Sequence, residues 1–197
     1  MALLFLISYL LFPLTCYNHL MNITAGIYKG RKVKAPDENI VRPTLSKIRE
    51  SIFNVLFSMM DFEGKFFLDM FAGSGIMGLE ALSRGFLRTV AIEKNPRVAR
   101  TLKDNYTNLD ITPDILIGDS LKLLPRIPRK FDVIYLDPPY FSEIYEDSLK
   151  VIKESDVLNK DGIVILEHVT EVDWENLGFN LIKQKKYSQK FITFLSV

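Results

Sequence analysis

The stretch Phe66-Phe67-Leu68-Asp69-Met70-Phe71-Ala72-Gly73-Ser74-Gly75-Ile76-Met77-Gly78 restricts the possible folds more than any other part of the chain. An apolar run is interrupted by glycines and then resumes, which reads as a buried strand, a tight turn and the start of a helix. The spacing Gly73-x-Gly75-x-x-Gly78 is that of nucleotide-binding turns, where glycine lets the chain reverse and lets backbone come close to a ligand. Strands are expected at Phe66–Phe71, Arg88–Glu93, Asp114–Ile117, Phe131–Leu136 and Gly162–His168, with helix-length segments between them. Alternation of this kind predicts an α/β fold, a mostly parallel sheet with helices on both faces and ligands at the strands' C-terminal ends. At 197 residues the chain is expected to form one domain with a full core.

Local signals place several boundaries. Leu45, Ile48, Ile52, Leu56 and Met59 recur at three- and four-residue spacing after Pro43-Thr44, predicting a helix with one apolar stripe. A helix is expected to end at Arg84 with Gly85 as its C′ residue. Asn95-Pro96 reads as a cap followed by proline at the first helical position, opening a helix to about Asn108. Another is expected over Ser142–Ser155. The tail differs: Phe179–Lys186 and Lys190–Val197 flank Tyr187-Ser188-Gln189 with no helix between them, which predicts an antiparallel hairpin.

The chemistry follows from what stands at the strand ends. Glu93 closes the second strand 20 residues beyond Gly73, where a carboxylate can accept the hydroxyls of an adenosine ribose. Nicotinamide dinucleotides and S-adenosyl-L-methionine fit this much equally. Asp69, just before the turn, is poorly placed against a pyrophosphate but suits a ligand carrying an ammonium and a sulfonium. Asp137-Pro138-Pro139-Tyr140 follows the apolar run Phe131–Leu136. Proline has no N–H and a fixed φ, so the adjacent carbonyl stays available as an acceptor beside the Asp137 carboxylate. Two acceptors and the Tyr140 ring can hold a flat base by its exocyclic NH2 and stack on it. Taken alone, the same four residues read equally well as a Pro-Pro turn with Asp137 as a cap. The methyl-donor reading prevails because it gives the amine-holding motif a purpose.

Charge is segregated. Net charge is +1, yet between Asn22 and Arg49 seven basic residues face two acidic ones, so this segment suits phosphate-backbone contacts. One cysteine, Cys16, excludes a disulfide framework, and His19 and His168 make a poor metal set, so no metal is expected. His168 ends a strand and is expected to be hydrogen-bonded structurally. Ala2 to Leu14 is nearly continuous apolar sequence, too short to span a bilayer, and it lacks a basic start and a following small-x-small cleavage site. Translation is therefore expected to begin at Met21, with no membrane association and a cytoplasmic protein.

The motifs Asp69-Met70-Phe71-Ala72-Gly73-Ser74-Gly75, Glu93 and Asp137-Pro138-Pro139-Tyr140 resemble those of class I S-adenosylmethionine-dependent amino-methyltransferases acting on nucleic acid. Ile23–Arg31, Arg42-Pro43-Thr44 and Ile48–Leu56 narrow the resemblance to RsmD-type 16S rRNA (guanine-N2)-methyltransferases, from about Met21 to the C-terminus. Leu45-Ser46 stands where that family often has an acidic residue.

The resemblance implies a Rossmann-like class I methyltransferase with a seven-stranded sheet and C-terminal antiparallel hairpin over residues 44–197, preceded by a small basic β-hairpin over residues 21–43. It implies that Asp69, Phe71, Ala72, Gly73, Ser74 and Gly75 meet the donor's amino-acid end, that Glu93 meets its ribose and that Asp119 meets its adenine. Asp119 reads independently as the N-cap of a helix over Ser120–Leu124. Asp137, Pro138, Pro139 and Tyr140 would hold the target guanine, with Phe141 assisting the stacking. Lys29, Arg31, Lys32, Arg42 and Arg49 would contact ribosomal RNA, expected within a small-subunit assembly particle. Two alternatives stay open: an amino-methyltransferase acting on adenine or cytosine, and a nicotinamide-dependent oxidoreductase.

Overall fold

The computed structural model describes residues 20–36, 46–139 and 142–197, with 142 and 143 described by backbone alone. The expectations for residues 1–19, Arg42, Pro43-Thr44, Leu45, Tyr140 and Phe141 lie outside the described residues. A short antiparallel pair, β1 (Leu20–Asn22) and β2 (Lys32–Lys34), precedes α1 (Ser46–Phe57). The main body then runs β3 (Phe66–Asp69), α2 (Ile76–Ser83), β4 (Arg88–Glu93), α3 (Pro96–Thr107), β5 (Asp114–Ile117) and α4 (Ser120–Leu123). It continues with β6 (Phe131–Leu136), α5 (Ser142–Glu154), β7 (Leu158–His168), β8 (Asn180–Tyr187) and β9 (Lys190–Ser196).

Seven strands form one sheet in the order β5-β4-β3-β6-β7-β9-β8. The pairs from β5 through β7 are parallel, while β9 runs antiparallel to both β7 and β8. The central strands are mostly apolar because helices cover both faces: all of Phe131–Leu136 is buried, Asp132 included. β3 and β6 are neighbours although α2, β4, α3 and β5 lie between them in the chain. Strand order reverses at that point, leaving a crevice above their C-terminal ends.

The expected fold class is the observed one, with three local differences. β3 ends at Asp69 rather than Phe71: the chain turns at Met70 and Phe71, although Met70 and Ala72 still bond the neighbouring carbonyls of Tyr135 and Ile92. β7 starts at Leu158, its pairing with β6 shifting between Phe131 and Val133, so the strand is longer than the apolar run from Gly162. Met59 lies past the end of α1 and is 36% exposed, whereas Ile48, Ile52 and Leu56 are buried as the stripe requires. Among the described residues no helix is long and apolar enough to cross a membrane.

Two polar knots fasten the N-terminal hairpin to this body. The buried Glu80 carboxylate on α2 accepts from the Thr24 backbone N–H, from Arg49 Nε at 3.1 Å and from Arg84. Asn105 on α3 donates to the carbonyls of Lys34 and Ser74 and accepts from Lys34 N–H, each at 2.9 Å. Every polar atom of that amide is satisfied, as a buried amide requires.

Candidate functional site

The glycine turn is built by hydrogen bonds to both flanking strands. Met70 N–H reaches Tyr135 O on β6, Ala72 N–H reaches Ile92 O on β4, and Gly75 N–H closes the turn on Ala72 O. Gly73 and Gly75 have φ of 53° and 78°, a region that side chains disfavour. Gly75 was expected at the ligand, but it is not among the residues lining the cavity. A Cβ there would come within 2.8 Å of Leu102 and Tyr106, so its bareness lets α2 approach α3.

A cavity of about 920 Å³ opens above β3, β4 and β6. Its wall includes Asp69 at the end of β3, Phe71, Ala72, Gly73 and Ser74 from the turn, Glu93 and Asp119 from the next two strand ends, and Asp137, Pro138 and Pro139 just after β6. The two motifs, separated by more than sixty residues in the chain, thus share one chamber. Tyr140 lies outside the described residues.

Asp69 is 1% exposed, and its Oδ1 makes no hydrogen bond. Burial pushes its carboxyl well above the usual range; the Phe71 N–H opposes this, while the charges of Asp137, Glu93 and Glu167 add to it. Glu93 is raised by burial too, and is held by three backbone donors, among them Gly73 N–H at 2.9 Å and Asn95 N–H at 2.7 Å. Its carboxylate therefore pins the end of β4 to the glycine turn. Asp119 caps α4 through Leu121 N–H and pairs with Lys94 at 3.1 Å; that hydrogen bond holds its carboxyl below the usual range. Asp119 is thus the N-cap expected from the sequence, and the residue also lines the cavity.

One further group was not expected. Lys190, the first residue of β9, places Nζ 3.4 Å from Asp137 Oδ1 and also on Glu167, whose second oxygen accepts the Tyr135 hydroxyl. Tyr135 itself lines the cavity. Apolar neighbours such as Met77, Ile92 and Leu121 complete the wall. These contacts join residues 23 to 53 positions apart, beyond the reach of periodicity or capping signals.

The expected RNA contacts divide. Lys29, Arg31 and Lys32 are exposed, although Arg31 also donates to Asn108 O at the end of α3. Arg49 is a correction: it is 1% exposed, bonded to Glu80 and to Asn22 O, and so serves the buried knot instead of a phosphate. A count of charges along the chain does not reveal that position 49 falls on the inward face of α1. His168 bonds Thr170 O and Thr193 Oγ1 within the fold, and burial lowers its pKa.

The cavity can therefore take a ligand with an adenosine-sized body and positive charge. Its orphan carboxylate oxygen calls for a donor. Four further carboxylates, those of Glu93, Asp119 and Asp137 on the wall and of Glu167 just behind it, make an environment hostile to a pyrophosphate.

The family model described as Conserved hypothetical protein 95 matches residues 21–196. The Haemophilus influenzae protein named Ribosomal RNA small subunit methyltransferase D is 33% identical over 173 residues, covering 84% of this chain and 88% of that one. YlbH of Bacillus subtilis, described as a candidate rRNA methyltransferase, is 34% identical over 171 residues, covering 84% and 92%. A solved Escherichia coli structure, described as the candidate methyltransferase YhhF, superposes with a TM-score of 0.81 at 26% identity, covering 89% of this chain and 97% of that one.

Proposed function

The chain belongs to the Conserved hypothetical protein 95 family, the RsmD family its motifs resemble, and on that premise we propose that it methylates the exocyclic N2 amino group of a guanine in small-subunit ribosomal RNA. The methyl donor is S-adenosyl-L-methionine, which supplies a methyl group on a sulfonium. The observation that carries this reading is the shared cavity, in which Asp69 and the glycine turn face the strand end bearing Asp137 and Pro138.

The residues present fit such a donor. Asp69 offers an unpaired, desolvated carboxylate oxygen to an ammonium. Glu93 and Asp119 present carboxylates where a ribose and an adenine amino group would be held, and Ile92 and Leu121 supply apolar surface. The same carboxylates weigh against a nicotinamide dinucleotide.

On the substrate side, Asp137 and the carbonyl beside Pro138 accept the two amino hydrogens and fix the nitrogen lone pair toward the donor. Orientation is the main contribution of these groups, since a carboxylate is a weak base and correct placement alone accelerates a bimolecular step greatly. A guanine must leave its stack to enter, at roughly a few kcal/mol. Stacking on Tyr140 would offset about 1–3 kcal/mol of this. Lys29, Arg31 and Lys32 on the N-terminal hairpin would hold phosphates without reading sequence. An assembling small-subunit particle is the substrate form we favour.

The test is transfer of a labelled methyl group to unmodified ribosomal RNA and to small subunits, followed by nucleoside analysis. Label in N2-methylguanosine is expected. Label in adenosine or cytidine would overturn the base assignment, and a thermal shift with NAD but none with S-adenosylhomocysteine would overturn the whole reading.

A further inference from the structure

Lys190 is 17% exposed at its side chain and stands between two carboxylates, Asp137 at 3.4 Å and Glu167, whose side chain is fully buried. Glu167 in turn holds the Tyr135 hydroxyl, so Asp137, Lys190, Glu167 and Tyr135 form one line across β6, β7 and β9. The reversed direction of β9 makes this possible: His168 pairs with Phe191, so β9 begins at the level where β7 ends, beside the cavity. A parallel strand in the same place would bring its last residue there instead.

Stability is a poor explanation for this line. Burying an ammonium and a carboxylate costs several kcal/mol per ion, and apolar replacements of such pairs are often as stable or more so. Asp137 and Glu167 also both burden the orphan carboxylate of Asp69, so a cation shared between them lowers the repulsion across the cavity wall. What the line does accomplish is geometric. It fastens one oxygen of a carboxylate whose orientation decides where a bound amino group sits.

We propose that Lys190 is a positioning residue, anchored by Glu167 and Tyr135, that holds the Asp137 carboxylate in the orientation needed to accept the guanine amino group. This rests on the amino-methyltransferase reading. The prediction concerns turnover and not donor binding, because Lys190 touches Asp137 and Glu167 rather than the glycine turn.

The experiment compares wild type with Lys190→Met, Lys190→Arg and Glu167→Gln. It measures kcat and KM for RNA, affinity for S-adenosylhomocysteine by calorimetry, and the Asp137 side-chain orientation by crystallography. Lys190→Met is expected to lose about 100-fold in kcat, the scale of a small misplacement of a reacting group, with RNA KM and S-adenosylhomocysteine affinity changed less than about threefold. Lys190→Arg should recover most of that loss, and Glu167→Gln should show the same split at smaller size. Lys190→Met turnover within about threefold of wild type, an arginine variant no better than methionine, or a loss that tracks donor-site affinity would overturn the proposal. Should wild type itself transfer no methyl to ribosomal RNA, the functional reading fails separately. The crystal structures still decide the role of Lys190: an Asp137 carboxylate unmoved in Lys190→Met refutes it, and a rotated one supports it.

Discussion

Gly78 lies directly beneath the Tyr106 hydroxyl: a Cβ on residue 78 would come 2.1 Å from that oxygen. The contact joins α2 to α3, and the hydroxyl is also within 3.3 Å of Thr89 Oγ1 on β4. An alanine within a helix normally gains about 1 kcal/mol over glycine. Here overpacking, at about 1–3 kcal/mol, outweighs it. Gly78→Ala should therefore lower the melting midpoint, and Tyr106→Phe in the same chain should recover part of the loss by removing the obstructing oxygen. A melting midpoint raised by Gly78→Ala would contradict this.

Asp69 gives a pH-dependent prediction. Its carboxyl is raised by burial, so the folded protein binds this proton more tightly than the unfolded chain does. Stability from this group is greatest at low pH and is lost as pH rises from the ordinary aspartate value, near 4, through the raised one. Asp69→Asn removes that penalty. Without ligand it should melt higher than wild type at neutral pH, with the difference closing toward pH ~4. It should also bind S-adenosylhomocysteine more weakly, because that ligand keeps the ammonium. A less stable Asp69→Asn at neutral pH would mean the carboxylate is well solvated by the fold after all.

For Asp137→Ala, turnover should fall below detection while S-adenosylhomocysteine affinity stays within about threefold, as for an interaction made mainly with the second substrate. Calorimetry beside single-turnover assays separates the two. Equal losses would assign Asp137 to the donor.

Glu80 is buried among Thr24, Arg49 and Arg84. Removing its charge strands two guanidinium groups that the fold keeps from water. Glu80→Gln leaves one acceptor oxygen where the fold uses two and should cost about 3–5 kcal/mol, and hydrogen exchange should quicken first in the backbone of Thr24, whose N–H is shared between those two oxygens. Uniform exchange across the sheet would show that the knot is not local to the hairpin.

What could be read from the sequence depended on distance along the chain. Asn95 and Pro96 announced the start of α3, and the structure has Asn95 Oδ1 accepting from Arg97 N–H. Asp119 announced α4, Tyr187-Ser188-Gln189 announced the β8–β9 hairpin, and the glycine spacing announced the turn. Each signal acts over two to five residues. Arg49 and Glu80 are 31 positions apart, and Lys190 and Asp137 are 53 apart, so their pairing is decided only when helices and strands have packed. Arg49 therefore reads from sequence as a surface cation, and Lys190 only as the start of the last strand.

The single amide of Asn105 touches both the second strand of the N-terminal hairpin and the carbonyl of Ser74 in the glycine turn. Hairpin and turn are thereby coupled through one small rigid group, with no intervening loop to absorb a displacement. A macromolecule that displaced the hairpin would therefore act first on this amide, and through it on the backbone behind the chamber.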